Sequence, residues 1–278
     1  MTSLQAIILA IVQGITELFP ISSLGHAVIM PALLGWTNVN EASDDFLPFL
    51  VVMHLGTAVA LLLYFWRDWL DFGLAVTVRR GPAAKAERKL LLLVIIATLP
   101  AVAIGGLLEH HLKDIFGKPV WAAGFLVVNG IMLFVVERLK KASAGSRPIT
   151  ALTWVNALVI GFWQCLALIP GISRSGATMA GGYLSGLKHE DAARFSFLTA
   201  TPIILAATVL ELPKIHKHGG SFSSVAVLSG LVAGVVAFIS VAALMRWFKN
   251  HEVKAFDPFA LYCVAAGITS VVFLTLHH

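Results

Sequence analysis

The chain has 278 residues, 58% of them apolar and only 13% charged, with a mean hydropathy of +0.86. No soluble core needs that much apolar surface, so the composition identifies a polytopic membrane protein. The net charge of +5 is spread over short connections and is not a nucleic-acid footprint, and the two cysteines, Cys165 and Cys263, lie inside apolar segments, which argues against a disulfide framework.

The N-terminus carries no Lys or Arg before its apolar run, and Glu17 interrupts that run, so it reads as mature structure and not as a cleaved signal. Residues 4–35 are too long for one membrane span and too short for two with a turn. Proline, glycine and serine sit in their middle, where they break a helix. Apolar spans follow at 47–65, 90–108 and 120–137. Residues 149–187 then repeat the long, interrupted pattern, and further spans are predicted at 196–212, 223–245 and 258–276. Irregular backbone at membrane depth survives only inside protein or beside water. Both interrupted stretches are therefore predicted to be re-entrant helical hairpins.

The distribution of positive charge fits that reading. With 66–89 on the cytoplasmic side, the connections 66–89, 138–148, 188–194 and 246–257 all fall inside and hold 15 of the 20 Lys and Arg. The outer connections 36–46, 109–119 and 213–222 hold four, and the last is Arg174 at a hairpin tip. Counting 149–187 as a full span would leave ten inside and nine outside. The expected fold is an all-α polytopic membrane protein, 1–278 forming a single membrane domain. It is an inverted-topology repeat, about 1–148 and 149–278, each half a re-entrant hairpin plus three transmembrane helices, and Pro119 and Pro258 both open the last span of their half. That architecture suits transport as well as catalysis.

The hairpin tips carry related motifs. An ungapped offset of 151 pairs Gln13 with Gln164, Ile21-Ser22 with Ile172-Ser173, and Gly25 with Gly176. Arg174 is the most informative residue, because a guanidinium in a membrane needs an anion and its planar fork matches phosphate oxygens. Ser173, Ser175, Gly176 and Thr178 surround it with hydroxyls and accessible backbone, which makes a phosphate cradle; the plainer alternative is a structural bridge from Arg174 to Glu17. Glu17 suits a divalent cation or a proton, and Gln13, one turn earlier on the same face, can help hold a metal or water. His26 shares the tip with Glu17, Ser22 and Ser23 and is a catalytic candidate. Either serine can act as nucleophile if His26 or Glu17 takes its proton, or as a helix cap. His54, with no polar cluster beside it in sequence, reads as a packing residue, and His216-Lys217-His218 reads as solvated loop. Gly181, Gly182 and Gly186 suit close helix packing within one chain or in a homodimer.

At these motifs the chain resembles the undecaprenyl-diphosphate phosphatase family of the bacitracin-resistance type. Gln13 and Glu17 stand where that family has Glu or Gln, three residues, then Glu; Pro20 to His26 match Pro-x-Ser-Ser-x-Gly-His, and Pro170 to Thr178 match Pro-Gly-x-Ser-Arg-Ser-Gly-Ala-Thr throughout. Phe65-Trp66-Arg67 and Phe195-Ser196-Phe197-Leu198 extend the likeness. The resemblance implies a multi-pass enzyme of the bacterial plasma membrane that hydrolyses undecaprenyl diphosphate and so recycles the lipid carrier of cell-wall synthesis. It implies a divalent cation, Mg2+ or Ca2+, and an active site opening to the outer face. It implies that Arg174 binds diphosphate with Ser22, Ser173, Ser175, Gly176 and Thr178 assisting. Glu17, with Gln13, serves the metal or the attacking group, and Ser23 is the nucleophile with His26 as partner, a nucleophilic His26 being the other assignment. Gln13 departs from the Glu common at its position and weakens the expected cation site, and Leu24 replaces a common small hydroxyl residue. The competing function is a polyprenyl-phosphate flippase or lipid carrier that moves or binds the lipid without hydrolysis.

Overall fold

Each interrupted stretch folds as two short helices meeting at a kinked tip. In the computed structural model, which describes residues 1–37, 39, 46–113, 118–139, 147–217 and 223–277, the first pair is α1 (Ser3–Thr16) and α2 (Ser23–Leu33). The second is α7 (Trp154–Cys165) and α8 (Arg174–Leu184), joined through a 3-10 turn at Leu166–Leu168. These helices have 11 to 14 residues. At 1.5 Å per residue they reach about 16–21 Å, well short of the ~30 Å of hydrocarbon.

Between the pairs lie α3 (Phe46–Tyr64), α4 (Trp66–Thr77), α5 (Pro82–Lys113) and α6 (Pro119–Leu139); after them come α9 (His189–Lys217), α10 (Ser224–Asn250) and α11 (Asp257–Leu276). Five of these are long and apolar enough to span, in the segments Pro82–Leu107, Pro119–Leu139, His189–Val209, Ser224–Asn250 and Asp257–Leu276, and α3 with α4 adds a sixth, bent by 72°. No strand occurs among the described residues. The chain is an all-α, multi-pass membrane protein.

Two expectations about the connections need correction. The stretch 66–89 is not a loop: α4 occupies its first half, and α5 begins at Pro82, a residue favoured in the first helical turn. Helix α4 buries Phe72 and Ala75 while Asp68 pairs with Arg194 of α9 and Asp71 with Arg79. Charge density reads as loop in sequence, but here it lines one side of a helix whose other side packs. Likewise α9 starts before residue 196 and runs through His216 and Lys217, because the hydrocarbon fixes only the apolar part of a helix. The side chains of 216–218, with most of the expected connections 36–46, 109–119, 138–148 and 213–222, lie outside the described residues.

The hairpins are laced into the other half of the chain. Helix α1 packs on α10, and α7 packs on α5, so each hairpin's first helix lies on the second span of the opposite half. The tips meet reciprocally: a Cβ on Gly25 would lie 3.1 Å from Gly171 Cα, and one on Gly176 would lie 3.2 Å from Pro20 Cβ. Both pairs of positions are related by the offset of 151. Gly181 packs on Trp163, Gly182 on Ala192 and Gly186 on Arg147, all within this chain.

Outside the hairpins, small residues bring the spans together. A Cβ on Gly56 of α3 would lie 2.0 Å from the Gly230 carbonyl oxygen of α10, so the backbones touch there. Gly56→Ala is expected to destabilise the protein by about 1–3 kcal/mol through overpacking. Gly73 of α4 has open space around it, and Gly73→Ala is expected to leave stability unchanged or raise it by up to about 1 kcal/mol. Thermal unfolding of the two variants in detergent checks the contrast; equal effects would contradict the α3–α10 contact.

Candidate active site

The first tip is built around a strained serine. Ser22 has φ +69°, in the left-handed region that a non-glycine residue adopts at a cost of about 1–3 kcal/mol. Two contacts hold it: its hydroxyl accepts from the Gly25 N–H at 3.2 Å, capping α2, and donates to the Ile172 carbonyl of the other tip at 3.4 Å. The second tip turns at Gly171, φ +100°, where a Cβ would also collide with the Ala122 carbonyl oxygen at 2.2 Å. Ser173 then caps α8 through the Gly176 N–H at 3.1 Å. Both half-helices thus direct their N-terminal, partly positive ends into the tip region.

Glu17 and Arg174 join the tips. The Arg174 Nη2 donates to Glu17 Oε1 at 2.9 Å, both groups being largely buried. The bridge allowed for in sequence therefore exists, but it uses one edge of the guanidinium. Arg174 Nε and Nη1 are buried and have no partner among the described residues. Buried donors left unmatched call for an explanation, and these belong to a residue that borders a cavity of about 300 Å³. The cavity is lined by Glu17, Ser22, Ser23, Ser173 and Arg174 on its polar side, and by Leu50 and Val51 of α3 and Ile203, Ile204 and Ala207 of α9 on its apolar side.

The two serines that spacing could not rank have different jobs here. Ser22 is the cap. Ser23 borders the cavity and donates its hydroxyl to Glu17 Oε2 at 2.6 Å. His26, expected to be the partner of Ser23, directs both ring nitrogens elsewhere. Its Nδ1–H donates to the Ser22 carbonyl at 2.6 Å and its Nε2 lies 2.8 Å from the Tyr262 hydroxyl of α11, with the two rings stacked. Sharing a tip in sequence did not reveal that α11 would claim the ring. His54, expected to be a packing residue, faces the site instead. Its Nδ1–H donates to the Leu50 carbonyl at 2.8 Å, and its Nε2 points at Glu17 Oε2 from 3.5 Å. The available signal was its position inside a span, where an ionisable side chain is a functional candidate by default.

Ser175, Gly176 and Thr178 do not border the cavity. Ser175 is fully buried and donates to the Phe19 carbonyl at 3.0 Å; Thr178 donates to the Arg174 carbonyl at 2.7 Å and reaches Gln164 at 3.4 Å. Gly176 packs under Pro20. These residues hold the tips together and turn away from the cavity. A fully buried residue that spacing missed, Asn129 of α6, also contacts both tips.

The donor set does not form a cation cage. Gln13 turns its amide N–H toward Glu17 Oε2 at 3.2 Å, leaving its own oxygen without a partner, and Glu17 is surrounded by donors from Arg174, Ser23 and Gln13. Among the described residues no three His, Cys, Asp or Glu side chains gather as a metal-binding group.

A carboxylate that accepts a serine hydroxyl beside a guanidinium with spare donors is an arrangement suited to chemistry on an anion. Comparison with known proteins agrees with that reading. Residues 6–269 match the family described as bacitracin resistance protein BacA. The chain belongs to that family. It is 50% identical to an undecaprenyl-diphosphatase of Granulibacter bethesdensis, covering 99% of this chain and 97% of that one. It is 51% identical to one of Gluconacetobacter diazotrophicus, covering 99% and 98%, and 40% identical to one of Mycolicibacterium paratuberculosis, covering 98% and 97%.

Among the described residues, Glu17 is the one acidic group paired with Arg174 at the tips. Glu17→Gln is expected to cost about 3–5 kcal/mol by leaving a buried charge unpaired. Added inorganic diphosphate should restore more thermal stability to this variant than it adds to the wild-type protein. A melting series in detergent with and without diphosphate measures both, and equal responses would count against an anion site at Arg174.

Proposed function

We propose that this protein is a membrane phosphatase that hydrolyses undecaprenyl diphosphate to undecaprenyl phosphate and inorganic phosphate. The observation that carries the proposal is the Ser23–Glu17–Arg174 cluster: a hydroxyl bonded to a base, beside a guanidinium whose remaining donors border a cavity. The names of the relatives supply the substrate, and the cavity is consistent with it. Its polar side suits a diphosphate, while Leu50, Val51, Ile203, Ile204 and Ala207 suit the first prenyl units.

In this reading the terminal phosphate lies against Arg174 and the N-terminal ends of α2 and α8. Ser23 Oγ attacks its phosphorus and passes its proton to Glu17 Oε2. The bond to the bridging oxygen breaks, undecaprenyl phosphate leaves, and a phosphoserine remains. Water then attacks that phosphorus, Ser23 recovers a proton from Glu17, and inorganic phosphate departs. Arg174 and the half-helix ends stabilise the charge on the phosphoryl oxygens in both steps. His54, beside the same carboxylate oxygen, joins the site in place of His26.

A divalent cation belongs to the proposal as a companion of the substrate. Glu17 and the unpartnered Gln13 oxygen are too few to hold one without the phosphates themselves. The proposal extends to a bacterial plasma membrane, with the site opening to the outer face, as the resemblance to the bacitracin-resistance family implies. It also keeps the inverted relation of the two halves, for which the reciprocal tip contacts speak.

Phosphate release from a long-chain polyprenyl diphosphate by the purified protein tests the proposal. Arg174→Ala and Ser23→Ala are each expected to lower kcat/KM by about 10²–10⁴-fold, and chelation is expected to stop release. A folded wild-type protein that binds the lipid without releasing phosphate would overturn the enzyme reading in favour of a carrier.

A further inference from the structure

Asn129 lies in the middle of α6, more than thirty residues from either motif, and is fully excluded from solvent. Its side-chain amide touches both tips. The Nδ2–H donates to the Pro20 carbonyl at 2.9 Å, and the Oδ1 accepts the Ser173 N–H at 3.0 Å. The partners fix which end is which, since a carbonyl only accepts and a backbone N–H only donates. Cys263 of α11 lies 3.4 Å from the same Nδ2 and closes the third side.

Both bonded groups belong to backbone that the breaks have removed from helix ladders. At membrane depth such groups need a partner from protein. Their location gives this one more consequence. Ser173 is the residue before Arg174, and Pro20 is three residues before Ser23. The span beneath the tips reinforces the point, because Gly171 sits directly on Ala122 and Leu126 of α6. One rigid amide, on one span, thus sets where the Ser23 hydroxyl lies relative to the Arg174 guanidinium.

We propose that Asn129 is a positioning residue for hydrolysis: it holds the serine-bearing tip and the arginine-bearing tip in the register that the reaction needs. This rests on the phosphatase reading given above. The Ser22 hydroxyl on the Ile172 carbonyl and the Ser175 hydroxyl on the Phe19 carbonyl also join the tips, but each moves with its own tip, whereas Asn129 holds both from a third element. The Glu17–Arg174 pair runs through long side chains that tolerate displacement, whereas Asn129 grips main-chain atoms of both tips. A loss of register by an ångström is enough to cost about a hundredfold in rate.

Asn129→Asp keeps the acceptor for Ser173 and loses the donor to Pro20; Asn129→Leu loses both. With wild-type activity measured alongside, kcat is expected to fall about tenfold in Asn129→Asp and about a hundredfold in Asn129→Leu. KM should rise by less than kcat falls, and the folded, monodisperse fraction in detergent should be retained. A purely structural role predicts lowered stability with unchanged kcat in whatever protein stays folded. Wild-type kcat and KM in a folded Asn129→Leu protein would overturn the proposal. If Asn129→Leu does not fold, Asn129→Asp decides alone. If both are lost, amide hydrogen exchange of the wild-type protein decides: slow exchange at Ser173 is expected, and rapid exchange would overturn the inference. Should the wild-type protein release no phosphate, the phosphatase reading fails by itself. Register is then read from binding of inorganic diphosphate, where about tenfold weaker binding in Asn129→Asp supports the role of Asn129 and equal binding rejects it.

Discussion

Arg174 and Glu17 meet between the tips of two broken helices, and neither charge could remain at membrane depth without the other. The pair is made with one guanidinium nitrogen although the fork is able to hold a carboxylate with two. A bridge that served stability alone would gain by closing the second contact. The open geometry leaves Nε and Nη1 available while still neutralising the arginine in the absence of an anion. Glu17 also receives the Ser23 hydroxyl, so the carboxylate that holds the tips together is the one best placed to take the serine proton. Stability of the tips and the chemistry proposed for them therefore run through the same atoms.

The rest of the two motifs divides between ligand and support. Ser23, Ser173 and Arg174 border the cavity; Ser175, Gly176 and Thr178 turn away from it into the opposing tip or into α7. Ser22 belongs to both groups, bordering the cavity while its hydroxyl holds a strained backbone in place. A second buried network fastens the far end of α6. There Glu137 accepts the N–H groups of Lys254 and Phe256 and pairs with His189 at 3.0 Å, binding α6, α9 and the link between α10 and α11. Helix α6 is thus anchored at its end by Glu137, packed on α11 through Gly130 and Gly267, and bonded to both tips at Asn129. It is a platform for the site fixed at three places along its length.

The fold is most legible in the sequence where a residue is costly to bury in lipid. Arg174, Glu17 and the glycine- and serine-rich breaks are costly in lipid, so the two hairpins and their junction could be inferred from composition and spacing. It is least legible where position depends on a helix distant in sequence. His26 was associated with Ser23 because both occupy one turn, but Tyr262 of α11 draws the ring elsewhere. Asn129 sits in an apolar span with nothing nearby in sequence to mark it, and His54 is marked only by being ionisable inside a span; the packing of α3 and α6 beneath the tips brings both to the site. Helix α4 was concealed by the same charges that made its segment look like a cytoplasmic connection.

The charge at the cavity explains why Gln13 is compatible with an anion site. Arg174 and Glu17 cancel, so an arriving diphosphate brings negative charge that this pair cannot neutralise. The N-terminal ends of α2 and α8 contribute roughly half a positive charge each, which offsets part of it. A carboxylate at position 13, within reach of Glu17, would add repulsion that a cation would have to cancel. Gln13 instead donates an N–H to Glu17 and adds no charge. Under the proposed function, a glutamine at this position gives up affinity for a cation in return for less repulsion of the phosphates, and it leaves the charge that the Arg174–Glu17 pair does not offset to the helix ends.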